Sequence, residues 1–292
     1  TSLLLSNADA EDAVAGPGNR VAFTYYKFHA RGDICFVQAP RPPFRGKTVK
    51  EGEIRCLKRK EGASSTQRSN PFWVSENVIG YLEREIDGRN ARVVSENISS
   101  GEMKVLATGR IWSPYMRLGG RFLTYLEWGG EDSRTKAENR GRRIMIKDLQ
   151  TGQTRVARFA LPGFSGFPTI SPNEEFLYFS HFFNDTNEDQ MIDGADNGVV
   201  FRVPLEKIFA AGDAANRILP EQLTSVETSC GFPRVAKDRL LMTCAFEGSL
   251  DVYSTNASGI VPSDWDKKRI LNAIDTSRSY QDRVLLLNAL QY

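Results

Sequence analysis

Histidine is nearly absent from this chain, with two residues, His29 and His181, among 292. His29 sits beside the turn "HARGD" and His181 follows the apolar stretch "FLYFS", so each reads as structural rather than as a base or metal ligand. The four cysteines, Cys35, Cys56, Cys230 and Cys244, lack the C-x-x-C spacing of zinc and redox sites. No apolar run approaches the roughly 18 residues that cross a membrane as a helix. The formal charge is only +2, too small to imply nucleic-acid binding. The opening "TSLLLSNADAED" has no basic region, so it is not an intact signal peptide, and a mature or trimmed chain is expected.

Catalytic constellations are missing too. In "GFSGF" around Ser165 the second glycine comes one residue too early for a nucleophile elbow. Glu83 and Glu85 lie on one strand face without an acid or base partner in the pattern. "RGD" (Arg31 to Asp33) fits a plain hairpin turn, and "KRK" (Lys58 to Lys60) reads as a solvated strand end. Nothing assembles a nucleophile, a base and an orienting group, so no enzyme is expected.

Internal repetition is what the chain has instead, in a composition (40% hydrophobic, 25% charged) typical of a globular protein. "FPTISPNEEFLYFSHFFN" from Phe167 reads as strand, Ser-Pro-Asn turn, strand. Related stretches begin at Phe72, Ile111 and Phe232, with a weaker one at Gly16. Aligned on the second strand, they place Thr24, Tyr81, Tyr125, Phe179 and Thr243 at equivalent positions. Third strands follow as "DICFVQA", "ARVVSEN", "RRIMIKDL", "GVVFRVP" and "LDVYST", and fourth strands as "EIRCLKR", "MKVLAT" and "TRVARFAL". Repeated four-stranded units predict an all-β fold, a β-propeller of about five to six blades spanning residues 1–262.

"FPTISPNEEFLYFS" and "IWSPYMRLGGRFLTYL" resemble the repeat of TolB-type propellers: an aromatic, then Ser-Pro-Asp/Asn-Gly, then an apolar strand. The resemblance runs over roughly Gly16 to Pro262, with Glu175 standing where the pattern usually has Gly or Lys. It implies the propeller architecture. Beyond it, residues 263–292 carry apolar residues at helical spacing, with Ser263 and Ser279 as N-caps. This predicts a short helical tail, which either packs under the propeller or begins a truncated helical domain.

The most specific motif is acidic. "FNDTNEDQMIDGADNG" holds five carboxylates within the twelve positions from Asp185 to Asp196. Numbered from Asp185, side-chain oxygens fall at positions 1, 3, 5, 9 and 12 (Asp185, Asn187, Asp189, Asp193, Asp196). Met191 offers its carbonyl at position 7 and Ile192 an apolar plug at position 8. That is the donor spacing an EF-hand loop presents to Ca2+, and it resembles dockerin-like and other EF-hand-like calcium loops. Gln190 replaces the usual glycine at position 6, where a left-handed backbone is needed. The flanking segments read as strands, so the expected object is a calcium-clasped hairpin loop; a solvated acidic turn is the alternative. The matching connection one unit earlier, residues 129–143, is long and basic. Both loops are expected on one face.

The midpoints of Cys35/Cys56 and Cys230/Cys244 fall in turn-like segments, which brings each pair across a hairpin within disulfide reach. The alternative is four buried thiols. Bridged, they place the protein in an oxidising compartment, the periplasm or outside the cell. The reading that follows is a non-catalytic cell-envelope propeller binding a protein partner, with neither nucleic acid nor a membrane span. The alternatives are the accessory propeller of a larger prolyl-oligopeptidase-like hydrolase and a glycan-acting propeller enzyme.

Overall fold

A computed structural model describes residues 10–39, 50–59, 65–85, 90–128, 142–159, 161, 163–210, 218–226, 229–236, 239–246 and 249–257. Within them the chain forms five successive antiparallel sheets, four of four strands and one of three. The first sheet contains β1 (Ala10–Ala15), β2 (Arg20–Tyr25), β3 (Asp33–Gln38) and β4 (Arg55–Cys56). The second contains β5 (Gln67–Ser75), β6 (Val78–Arg84), β7 (Ala91–Asn97) and β8 (Met103–Gly109). The third contains β9 (Ile111–Met116), β10 (Phe122–Trp128), β11 (Arg142–Asp148) and β12 (Thr154–Ala157). The fourth contains β13 (Phe164–Ile170), β14 (Phe176–Phe182), β15 (Val199–Pro204) and β16 (Glu221–Gln222), with the short helix α1 (Leu205–Ala210) before its last strand. The fifth contains β17 (Cys230–Ala236), β18 (Arg239–Phe246) and β19 (Ser249–Asn256). This is the blade repeat of a β-propeller, an all-β fold. The expected tail, 263–292, lies outside the described residues.

Burial explains the strand sequences. Middle strands such as β6 (VIGYLER) and β14 (FLYFSHF) are buried at five consecutive positions, so both faces are covered and the apolar run is continuous. The last strand β8 of its sheet has only two buried positions and carries Lys104 and Thr108 outward. The described residues fall into two compact units, one within Thr1–Glu127 and Asp148–Gly152, the other within Trp128–Lys147 and Gln153–Tyr292. In the first, Ala22, Ile34, Trp73, Ile79, Tyr81 and Val94 form one core cluster from two neighbouring blades. In the second, Tyr178, Val200, Leu240, Met242 and Tyr253 do the same.

Every blade repeats one irregularity that the sequence reading missed. The first strand carries a β-bulge against the second, and the first residue of each bulge is left-handed: Asp12 (φ 55°), Asn70 (51°), Ser113 (44°), Phe167 (52°) and Phe232 (54°). Four of the five are followed by proline (Pro71, Pro114, Pro168, Pro233). Proline has no N–H to give a ladder, so a bulge is where a strand tolerates it.

The bulges correct the repeat alignment. The residues facing them are Phe23, Tyr81, Tyr125, Phe179 and Met242, all buried. Tyr81, Tyr125 and Phe179 are thus equivalent, whereas Thr24 and Thr243 are one residue too far along. A slip of one residue exchanges the two faces of a strand. In the turn of the best repeat the left-handed residue is Glu174 (φ 57°), one position before Glu175. The Ser171 hydroxyl holds that turn by accepting the N–H groups of Glu175 (3.1 Å) and Phe176 (2.9 Å).

Both expected disulfides are present. Cys35–Cys56 joins β3 to β4 and Cys230–Cys244 joins β17 to β18, each between directly opposed residues.

Candidate functional site

The acidic segment connects β14 to β15 on the fourth blade. Its root is held from both sides. His181 faces Val199 across the ladder, the Gly198 carbonyl accepts the Cys230 N–H at 2.7 Å, and Asn197 Nδ2 donates to the Val226 carbonyl at 2.9 Å. A side chain at residue 198 would place its Cβ 2.8 Å from the Cys230 carbonyl oxygen, so glycine is required there.

Within the loop, backbone N–H groups supply what offsets the charge repulsion. Asp185 accepts the N–H groups of Asp189 (3.1 Å) and Gln190 (2.7 Å). The Asp189 N–H is shared with Asn187 Oδ1 (3.1 Å), and Asp189 Oδ1 accepts the Met191 N–H (2.9 Å). The second half is buried. Asp196, 3% exposed, accepts the N–H groups of Thr186 and Asp193, both at 2.7 Å, and Asp193, 5% exposed, accepts the Ala195 N–H at 2.7 Å. Ile192 is buried, as its plug position implies, and Gln190 takes the left-handed backbone (φ 68°) that position 6 demands.

The six sequence candidates therefore form two sets. Asp185 and Asn187 converge on the Asp189 N–H and the Asp189 carboxylate takes the Met191 N–H, while Asp193 and Asp196 meet inside the loop's base. Among the described residues no group of three or more His, Cys, Asp or Glu side chains stands close enough to hold a metal ion. Thr186, which sequence reading passed over, holds the base: its hydroxyl donates to Asp196 (3.2 Å) and accepts the Asn197 N–H (2.8 Å). A threonine at position 2 of a calcium pattern carries no signal of its own. The basic connection, residues 129–141, lies outside the described residues.

The remaining candidates resolve into structural roles. His181 is 2% exposed, bonded through Nδ1 to Ser165 Oγ at 2.8 Å and enclosed by Phe159, Phe179, Phe183 and Phe201. His29 Nδ1 accepts the Arg31 N–H in its turn (3.2 Å). Arg59 is not a solvated strand end: its Nε bonds Asp33 at 2.7 Å, which also withdraws the "RGD" carboxylate from solvent. Glu83 is buried and ion-paired with both Arg68 and Arg92.

No family model matches the chain, and no curated protein is similar to it. Solved structures do match. TolB from Acinetobacter baumannii aligns with a TM-score of 0.50 at 12% identity, over 86% of this chain and 55% of that one. TolB shares this fold. An oligogalacturonate lyase in complex with manganese aligns at 0.53 and 9% identity, over 87% of this chain and 64% of its own. A prolyl endopeptidase aligns at 0.53 and 14% identity, over 91% of this chain and 36% of its own. The present chain thus spans between about a third and two thirds of these proteins, and at such identities the likeness is one of fold.

Proposed function

We propose that the chain is a non-catalytic β-propeller of the cell envelope, with a calcium-ordered loop and a loop-bearing face that binds a protein partner. The observation that carries this reading is the state of the Asp185–Asp196 loop. Its left-handed residue is at position 6, its apolar plug is buried, and its side-chain oxygens at positions 1 and 3 accept the same N–H, that of Asp189. An ionised carboxylate has about four acceptor sites, so one or two N–H bonds leave capacity for a cation. Asp185, Asn187, Asp189, Asp193, Asp196 and the Met191 carbonyl would hold calcium, which supplies charge neutralisation and rigidity rather than chemistry. The two disulfides support a compartment outside the cytoplasm. A long connection on a rigid blade is where binding usually resides.

A thermal melt in chelator, then with calcium or magnesium restored, tests the metal. A rise in Tm with calcium alone, abolished in Asp185→Ala/Asp189→Ala, is expected. An equal effect of that variant in calcium and in chelator removes the assignment. For the partner, crosslinking in an envelope extract should yield a defined adduct that the variant weakens; an unchanged adduct moves the interface off this loop.

A second reading, the accessory propeller of a larger peptidase, draws on the match to the endopeptidase, of which this chain spans 36%. An α/β-hydrolase region with a nucleophile elbow in the same gene would establish it.

A further inference from the structure

Asn197-Gly198 is the one Asn-Gly pair in the sequence, and it stands at the root of the acidic loop. An asparagine followed by glycine is chemically labile, because no side chain on the second residue shields its backbone nitrogen. That nitrogen bonds to the asparagine Cγ and loses its proton, while the side-chain amide leaves as ammonia. Water then opens the five-membered imide at either carbonyl and leaves aspartate or isoaspartate.

Packing forbids removing the lability at residue 198. A Cβ there would stand 2.8 Å from the Cys230 carbonyl oxygen and 3.1 Å from the Phe182 ring. The fold instead occupies both reacting groups. Asn197 Nδ2 donates to the Val226 carbonyl at 2.9 Å, and the Gly198 N–H donates to Ser229 Oγ at 3.2 Å. Cyclisation has to give up both bonds, the first to turn the amide carbon and the second to free the attacking nitrogen. The holding segment is itself fixed. The Ser229 carbonyl accepts the Ala245 N–H from β18 at 2.7 Å, and the Cys230 N–H donates to the Gly198 carbonyl at 2.7 Å. On the loop side the Asn197 N–H donates to Thr186 Oγ1 at 2.8 Å.

The product does not fit where the reactant does. An aspartate at 197 sets a carboxylate oxygen against the Val226 carbonyl, two acceptors with no proton between them. It also adds a negative charge next to Asp196. An isoaspartate lengthens the main chain by a methylene just before the Gly198–Cys230 bond. We propose that Asn197 is a latent deamidation site, with water as co-reactant, which the bonds to Val226 and Ser229 keep intact. Its conversion releases the acidic loop irreversibly from the segment that leads into β17.

The chain is incubated in chelator at about pH 8, and the mass of the peptide carrying residue 197, which rises by about 1 Da on conversion, is followed. Chelator makes the outcome independent of calcium. Conversion should be about tenfold or more slower in the native chain than in the chain unfolded in urea. Ser229→Ala should speed it several-fold in the native protein and leave it unchanged in urea. Ser171→Ala loosens a turn of the same blade without touching either bond, so it should keep the parent's rate. Equal rates with and without urea overturn the protection. So does a Ser229→Ala rate equal to that of the parent or of Ser171→Ala. For the release, Asn197→Asp should speed cleavage at the exposed Glu188 by a glutamate-specific protease; unchanged cleavage overturns it.

Discussion

The backbone N–H of Asn70 donates to the carboxylate of Asp12, 3.1 Å away, and so ties the bulge of the second blade to the bulge of the first. The same carboxylate accepts the Thr24 hydroxyl at 3.2 Å. In the other compact unit the Phe232 N–H donates to Ser180 Oγ at 3.1 Å, again from one bulge to the blade before it. A bulge frees a backbone N–H from its own ladder. Here the neighbouring blade takes it, which turns a local irregularity into an inter-blade tie.

Asp12→Ala should therefore destabilise the protein by about 1.5–3 kcal/mol, the range for hydrogen bonds to a charged group. Asp12→Asn keeps an acceptor and tolerates the left-handed backbone, so it should lose less than half as much. Equilibrium urea denaturation of both variants checks this. Equal losses would mean that backbone strain, not the tie, is what the residue serves.

Phe167 and Phe232 occupy equivalent bulges on adjacent blades with ring centroids 3.9 Å apart. Bulky residues at positive φ are rare, and this pair maintains two of them. A double-mutant cycle with Phe167→Ala and Phe232→Ala should give a coupling energy of about 0.5–1.5 kcal/mol. Additive losses would show that the rings touch without stabilising each other.

The architecture was legible because middle strands buried on both faces leave long apolar runs, and because a Ser-Pro-Asn turn marks the best repeat. "RRIMIKDL", "GVVFRVP" and "LDVYST" became β11, β15 and β19. Register was less legible. Thr24 and Thr243 look like plausible partners of Tyr81, but the extra bulge residue on the facing strand has no compositional mark beyond the proline that follows it. The first blade, with Ala13 in place of proline, lacks even that. The acidic loop was legible in its spacing, and the backbone of Gln190 follows it. What spacing cannot convey is that Asp193 and Asp196 sink into the loop's base while Asp185, Asn187 and Asp189 stay at the surface. That division depends on Thr186 and Ile192 as much as on the acids.

The two bridges remove four hydrogens, so the unreduced mass should be about 4 Da below the all-thiol value. Opening Cys230–Cys244 by Cys→Ala at both ends should cost about 3 kcal/mol, as a loop of roughly 15 residues implies. A mass matching four thiols would return the cytoplasm to consideration.

Asp148 closes the turn between β11 and β12, and it is buried. The hydrogen bond from Arg121 (Nε to Oδ1, 2.8 Å) chiefly holds its pKa well below the usual carboxylate range; the Thr151 hydroxyl and the Gln150 and Thr151 N–H groups assist, against the opposing effect of burial. A depressed folded pKa gives stability that is complete above the unfolded value, about 3.9, and is lost as pH falls through the folded value. Asp148→Asn should therefore lower Tm at pH 7 and pH 5 alike, with the gap to the parent narrowing only below about pH 4. A gap already closing at pH 6 would point to a different titrating group.

Glu83 offers the sharpest stability test, because removing it and removing its whole pair should have opposite outcomes. Its carboxylate, 2% exposed, is the charge partner of Arg68, itself 1% exposed and lying over the Tyr81 ring. Glu83→Gln leaves a buried guanidinium without its counterion, for which a loss of about 3–5 kcal/mol is expected. Replacing both, as Glu83→Gln/Arg68→Met, removes the orphaned charge and keeps the volume, so most of that loss should return. Recovery is the decisive reading in urea denaturation. If the double variant is as unstable as the single one, Arg68 serves the fold through its Tyr81 contact and its bond to the Lys58 carbonyl, rather than through the ion pair.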